Sequence, residues 1–456
     1  MGVVAIKPKH VKEILNLLSV LDRKTKEAEV LVFETEGAPY GAVNVTIFKD
    51  RTLDMGKVLV TTLIPYHTLE GDLSAVFPAK AFKEIAGEAK TGVNAKNMLI
   101  EHNGAHYADI WFEGGAARTI QELSLSPGCS LMLSMGREEL GDEPQGQEPV
   151  YVCEISPKEA RTLEQCATVL KDIKEDHPHL AVVAISAAPS SGIRIYGATD
   201  RHKLIRHTCR SPKGTSEYGE AIKLAIPKTV ARLIKEMTPS RATRPKDSNP
   251  NSKLFIFEEP DYGLVETPKG TIRFTYIPKS SNIPEINALL GFINSPPQQT
   301  ATWGTVTVDG DDLIEALGEV GEHPIFLKPP AWKPCTVVQL HKGDGGTLAI
   351  STIQGEVGDY YPASQTLLEA TWDSSSNNLG TYNKKHLLEG LKALKKTATS
   401  TLGEVHILAR DPDRNSPLYF FSEPDQKILN APHPDQPNLW NSFDTAASVA
   451  VLPVRL

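Results

Sequence analysis

One helical spacing returns six times along this chain. Val11, Ile14, Leu18 and Leu21 lie 3, 4 and 3 residues apart, which places them on one face of a helix. The same spacing recurs at Ala160, Leu163, Ala167 and Leu170. Shorter forms appear at Phe82, Ile85 and Ala89, at Val230, Leu233 and Met237, at Leu313, Leu317 and Val320, and at Leu387, Leu391 and Leu394. Each pattern follows a β-rich stretch and opens on a proline or a capping residue: Lys7-Pro8, Pro78, Ser156-Pro157, Pro227, Asp309 and Asn383. These origins are 71, 78, 71, 82 and 74 residues apart, so a unit of about 75 residues is repeated six times over the chain.

The segments between the helices read as strands. They include Glu29 to Thr35, Lys57 to Leu63, Met98 to His102, Ile193 to Ala198, Lys253 to Phe257, Thr271 to Tyr276, Thr336 to Leu340 and Val405 to Ala409. Each repeat is thus one helix with about four strands. A single unit leaves a sheet face and its edges uncovered, so pairing the units two by two is the natural way to bury them. An α+β chain of three tandem domains follows, at 1–145, 150–294 and 300–456. The length of 456 residues also predicts two to four domains. The boundaries fall on the polar stretch from Gly136 to Pro149 and on Ser295-Pro296-Pro297-Gln298-Gln299. The stretches Thr238 to Ser252 and Asp411 to Pro437 read as long loops inside domains.

Charge is segregated in a way the net value of -8 conceals. Lys7 to Lys26 holds six basic and two acidic residues, Lys228 to Lys246 six and one, and Lys384 to Lys396 five and one. Any one of these suits a solvated helix face. Their recurrence at matching places in a repeat suits phosphate contacts equally well, which Lys and Arg make without reading base sequence, so charge alone leaves both readings standing. The fifth helix runs the other way, with Asp309, Asp311, Asp312, Glu315, Glu319 and Glu322.

Five cysteines, Cys129, Cys153, Cys166, Cys209 and Cys335, form no CxxC pair, which fits a reducing compartment. No run reaches the 18 or more apolar residues of a membrane span; Leu180 to Ala188 reads as a buried strand. A cytoplasmic location without membrane contact is the expectation.

Three motifs carry a resemblance. Gly197-Ala198-Thr199-Asp200-Arg201-His202-Lys203-Leu204 resembles the A-T-D-G-H-R-L segment of the bacterial-type sliding clamp, the β subunit of DNA polymerase III. Tyr382-Asn383-Lys384-Lys385-His386-Leu387-Leu388 resembles that family's aromatic-Asn-x-x-Tyr-Leu opening, and Val451-Leu452-Pro453-Val454-Arg455-Leu456 its terminal M-P-M-R-L. With the sixfold period, the resemblance spans the chain. It departs at Arg201, where the family has Gly, at Lys203, where it has Arg, and at Ala288, where a second Arg is expected.

The resemblance implies three DNA-clamp domains, a head-to-tail homodimer closed into a ring, and a helix-lined hole around double-stranded DNA gripped without regard to sequence. Lys12, Arg23, Lys24, Arg232, Lys235, Lys384 and Lys385 are then expected to face DNA. It also implies a groove between the second and third domains that takes short linear peptides of the DNA polymerase and the clamp loader. Its residues would be Thr199, Arg201, His202, Lys203 and Leu204, then Pro284 and Leu289 from a segment resembling F-P-D-Y, and Ala450, Leu452, Pro453, Val454, Arg455 and Leu456. No cofactor, no metal and no catalytic residue is implied.

Two other readings stand beside this one. A clamp-like resistance paralogue or scaffold would form the ring without serving a replicase. A hydrolase using Asp200 and His202 is the remaining choice; the Asp-x-His spacing is common, and the chain has no HExxH, P-loop or GxSxG motif.

Overall fold

The computed structural model describes residues 2–21, 29–49, 55–89, 95–102, 107–121, 148–149, 151–170, 173, 180–188, 193–210, 222–239, 249–257, 262–276, 303–325, 334–356, 359–373, 377–395, 402–410, 417–421 and 445–454. Six α-helices occur among them: α1 Pro8–Leu21, α2 Ala79–Ala86, α3 Pro157–Val169, α4 Lys228–Met237, α5 Gly310–Glu319 and α6 Lys384–Lys395. Each is one of the six read from the spacing. Among the described residues four strands follow each of the first four helices, six follow α5 and three follow α6. Every strand named above from the sequence is present within two residues of its expected start.

The helix starts explain themselves chemically. At α3, Ser156 accepts from the backbone of Glu159 while the Glu159 carboxylate accepts from the Ser156 backbone, a reciprocal capping box that contributes about 1 kcal/mol. At α5, Asp309 accepts from the backbones of Asp311 and Asp312, and the acids of this first turn are favoured by the helix dipole. Asp311 also pairs with Lys395 at 2.7 Å and Glu322 with Lys384 at 2.6 Å. Part of the acidity of the fifth helix is therefore structural, and Asp312, Glu315 and Glu319 are left on its exposed face.

The helices touch in the spatial order α2, α1, α4, α3, α6, α5. Pairs from one third of the chain (α1 with α2, α3 with α4, α5 with α6) are joined to the next by α1 against α4 and α3 against α6. The strands among the described residues make three antiparallel sheets, and two of them cross between thirds of the chain. The twelve-stranded sheet joins β4 (Met55–Glu70) to β16 (Gly270–Tyr276), and the nine-stranded sheet joins β12 (Lys203–Arg210) to β26 (Thr445–Val451). Gly270 sits at the first crossing with φ of 146°, and a Cβ there would collide with the Thr61 carbonyl. Only glycine lets the two strands meet in this way. The third sheet has five strands, from β18 (Pro324–Ile325) through β19 (Cys335–Lys342) and β20 (Leu348–Glu356) to β21 (Asp359–Leu368), with β23 (Asn378–Asn383) on β19.

The apolar helix faces and the inward strand positions form one large core. Phe33, Phe77 and Phe82 are fully buried, with ring centroids 5.5 to 6.5 Å apart, and fasten α2 to β2 (Glu29–Glu34) and β5 (Ser74–Pro78). Burial of each such ring contributes about 2 to 3 kcal/mol. Beneath α3 lies a buried polar network. The Glu159 carboxylate accepts from Arg194 Nη1 at 3.0 Å, the Tyr196 hydroxyl at 2.8 Å, and Ser156 Oγ and backbone N at 2.7 and 2.8 Å. Arg194 also donates to the Glu154 carbonyl.

A buried lysine closes the first helix of each pair. Lys49 Nζ donates to the Leu21 carbonyl at 2.9 Å, Lys228 Nζ to Leu170 at 3.4 Å and Lys384 Nζ to Val320 at 2.7 Å. A cation at a helix C-terminus satisfies exposed carbonyls and opposes the dipole, worth up to about 2 kcal/mol when partly buried. In the second and third pairs this lysine opens the following helix. In the first pair that position is Ala79, and a strand lysine takes the task. Among the described residues no helix is long and apolar enough to cross a membrane.

Candidate functional site

The A-T-D segment folds as a tight turn between β11 (Ile193–Thr199) and β12. Asp200 organises it: Oδ1 accepts from the backbones of His202 and Lys203 at 3.0 and 2.9 Å, and Oδ2 accepts from Lys203 Nζ at 2.6 Å. Thr199 Oγ1 accepts from the Arg201 backbone at 3.2 Å and donates to the Lys203 carbonyl at 2.9 Å. Both carboxylate oxygens of Asp200 are thus occupied by its own turn, so Asp200 and His202 do not form an acid-base pair.

Arg201 occupies the left-handed region with φ of 76°, the only non-glycine residue to do so among the described residues. Such a conformation costs a residue with a Cβ on the order of 1 to 3 kcal/mol. The turn therefore keeps the backbone that a glycine would adopt freely. Arg201→Gly is expected to raise stability by about 1 kcal/mol, after the larger entropy loss of glycine, and a lower urea midpoint would refute this strain.

Two contacts tie the turn to the last third of the chain. Lys203 Nζ reaches Glu389 Oε2 of α6 at 2.6 Å, and the His202 and His386 rings stack with centroids 4.7 Å apart. Gly390 permits this approach, since a Cβ there would lie 2.7 Å from Val449 Cγ1 of β26. The C-terminal segment then runs along the joint. Leu452 N donates to the His202 carbonyl at 2.8 Å and Val454 N to the Thr381 carbonyl at 2.9 Å. Leu452 is 41% exposed, while Pro453 and Val454 are half-buried.

The expected groove residues therefore meet, with one correction. Thr199, His202, Leu204, Ala450, Leu452, Pro453 and Val454 gather at this joint, and Arg201 is exposed on the turn. Lys203 was expected at the rim, but its side chain is 3% exposed and held between two carboxylates; it is an internal tie. Pro284, Leu289, Arg455 and Leu456 lie outside the described residues. On the face of the nine-stranded sheet turned away from the helices, Leu204, Leu408, Tyr419 and Ala450 form an apolar cluster with Phe421 packed against it.

The basic residues divide in the same way. Lys12 and Lys385 are exposed. Arg232 is half-buried and donates to the Ala167 carbonyl at 3.3 Å, and Lys235 pairs with Glu236 at 2.7 Å and Glu164 at 3.7 Å. Lys384, expected to face DNA, is buried at the end of α5 as described above. Arg23 and Lys24 lie outside the described residues. Exposed cations outside the expected set are Lys9 on α1 and Lys392 and Lys395 on α6, which belong to the basic runs, and Lys80 on α2 and Lys158 and Arg161 on α3, which sequence reasoning missed. The signal was available, because these positions fall out of phase with the apolar spacing.

Two histidines set an acid limit for this region. Burial holds His207 of β12 down to about 4, and burial together with the nearby Lys203 ammonium does the same for His386. The folded state keeps both neutral, whereas an unfolded histidine takes up its proton near the ordinary value of about 6.5. Their stabilising contribution is complete above that value and is lost as pH falls toward 4. For His207 the loss approaches about 3 kcal/mol. Urea midpoints measured from pH 7.5 to 4.5 should fall steeply, and less so in His207→Leu; parallel slopes would contradict this account.

No family model and no curated protein matches the chain by sequence. Solved structures do match it over 100% of both chains. They include the DNA polymerase III β subunit of Thermotoga maritima at TM-score 0.63 and 13% identity, a Pseudomonas aeruginosa sliding clamp bound to griselimycin at 0.63 and 13%, and the Helicobacter pylori β clamp in complex with carprofen at 0.61 and 13%. Over its whole length the chain has the fold of bacterial DNA polymerase III β subunits.

Proposed function

We propose that this chain is a DNA sliding clamp, a processivity factor that encircles duplex DNA and tethers a replicative polymerase. The observation that carries the reading is the continuous row of six helices against the sheets, with cations on the exposed sides of α1, α2, α3 and α6. A row of this kind, bent around a duplex, offers many weak phosphate contacts and no base readout, which suits sliding. Three domains at 1–145, 150–294 and 300–456 and a homodimeric ring belong to this reading. Exposed apolar residues near the two ends of the arc support closure: Tyr107, beside β8 (Arg118–Gln121) at one sheet edge, and Tyr361 and Leu367 on the edge strand β21. The joint of His202, Leu204 and the C-terminal segment would receive the peptides of polymerase and clamp loader. No bond is made or broken, and the engaged Asp200 gives the hydrolase reading no support.

The test combines mass with topology. Light scattering on the eluting protein should give two protomers, and the loaded protein should stay on nicked circular DNA but run off the same DNA once linearised. A monomer at micromolar concentration, or equal retention on both forms, would sink the proposal. One feature favours a clamp-like scaffold that serves no replicase: the acidic face of Asp312, Glu315 and Glu319 on α5. That reading expects a dimer that is not retained on the circle.

A further inference from the structure

Arg206 lies two residues beyond Leu204 on β12, on the same outward face as the apolar cluster. It is 3% exposed, and its Nε and Nη2 have no hydrogen-bond partner among the described residues. Its cross-strand neighbours are Gly197 on β11 and Ser448 on β26. Neither these positions nor the diagonal ones, Ile195, Thr199, Ala446 and Ala450, hold an acidic residue. Burial lowers the guanidinium to about 10, which still leaves it cationic at neutral pH. An arginine so placed cannot shed its charge, and a buried unpaired charge is strongly unfavourable. A planar fork with unpaired Nε and Nη2, on the same sheet face as Leu204, Tyr419 and Ala450, matches a carboxylate that arrives with apolar neighbours.

We propose that Arg206 forms an anion subsite beside the apolar cluster, and that its ligand is the carboxylate of an aspartate or glutamate side chain in a docked partner peptide. This rests on the reading of the joint as a peptide groove and adds what that groove selects. The peptide's apolar anchors would enter beside Leu204 and Ala450 while its acid pairs with the guanidinium two residues along the strand. The buried cation would then discriminate between peptides, because an amide in place of the acid leaves the charge uncompensated.

The test uses the full-length protein and labelled heptapeptides with Leu and Phe anchors, acetylated and amidated at their ends so that only side chains carry charge. A single Glu is walked through the remaining positions, with a Gln peptide as the partner of each. At one position Glu should bind wild type about tenfold or more tightly than Gln. Arg206→Met should erase that difference and leave the Gln peptide's affinity unchanged. Free of peptide, Arg206→Met should match or exceed wild type in thermal midpoint, since it removes an unpaired charge. Equal binding of Glu and Gln at every position, or a preference that survives Arg206→Met, overturns the subsite while the groove stands. A lowered midpoint together with no Glu preference means that a carboxylate of this chain already holds Arg206, and also overturns it. If no peptide binds wild type, the groove reading fails and the subsite with it.

Discussion

Replacing Arg194 with methionine is expected to destabilise the chain by about 3 to 5 kcal/mol, since it leaves the Glu159 carboxylate buried without its counter-charge. Glu159 would keep the Tyr196 and Ser156 donors, at 2.8 and 2.7 Å, but those bonds do not replace a cation. Glu159→Gln should be costly for the converse reason. The double variant Arg194→Met, Glu159→Gln should be less destabilised than the two losses added together, with a coupling of about 1 to 3 kcal/mol. Denaturant unfolding of the four proteins measures this directly. Additive losses would mean that Arg194 serves mainly the Glu154 carbonyl and that the ion pair is incidental. The network lies under α3, which packs against α4 and α6, so its failure would disturb the centre of the helix row.

Reversing Lys9, Lys12, Lys158, Arg161, Lys385 and Lys392 to glutamate together should reduce retention on nicked circular DNA by about a hundredfold or more near physiological salt. The estimate follows from counterion release, in which each lost phosphate contact removes about 0.9 from the slope of log affinity against log salt. A single change such as Lys12→Ala should alter retention only a few-fold, because the contacts are many and weak. These side chains are exposed or nearly so, and exposed substitutions usually change stability by about 0.5 kcal/mol or less. Dimer mass and thermal midpoint should therefore persist in the sixfold variant. Unchanged retention would place the DNA elsewhere on the protein. A test built on Lys384 would mislead, because that lysine holds the end of α5 and Glu322.

The six helices were legible because their information is local. An apolar residue every three or four positions names the buried face whatever the rest of the chain does, and Ser156 before Pro157 marks a helix start within one turn. The A-T-D segment could be placed at a strand end, and its strained Arg201 at the position where the resembled family has Gly. The mistaken positions have a common cause. Lys203 and Lys384 sit next to turn and helix starts that look solvated in sequence, but their partners, Glu389 and Glu322, are 186 and 62 residues away. Charge counted along the chain cannot separate a cation facing solvent from one that closes a neighbouring helix.

From its sequence alone this chain determined the six helices found among the described residues, their starts, their buried faces and the period that sets six units in line, but not their ends, since the spacings at Ala89 and Val320 run past α2 and α5. Only the tertiary structure decided that Met55–Glu70 runs beside Gly270–Tyr276, that Lys203–Arg210 runs beside Thr445–Val451, and that Arg206 is buried with no partner for its Nε and Nη2 among the described residues. The physical reason is the range of the forces that choose. Helix faces and caps depend on neighbours within a turn, whereas sheet junctions and the burial of single charges depend on the packing of segments more than 200 residues apart, where shape and total buried area outweigh any local preference.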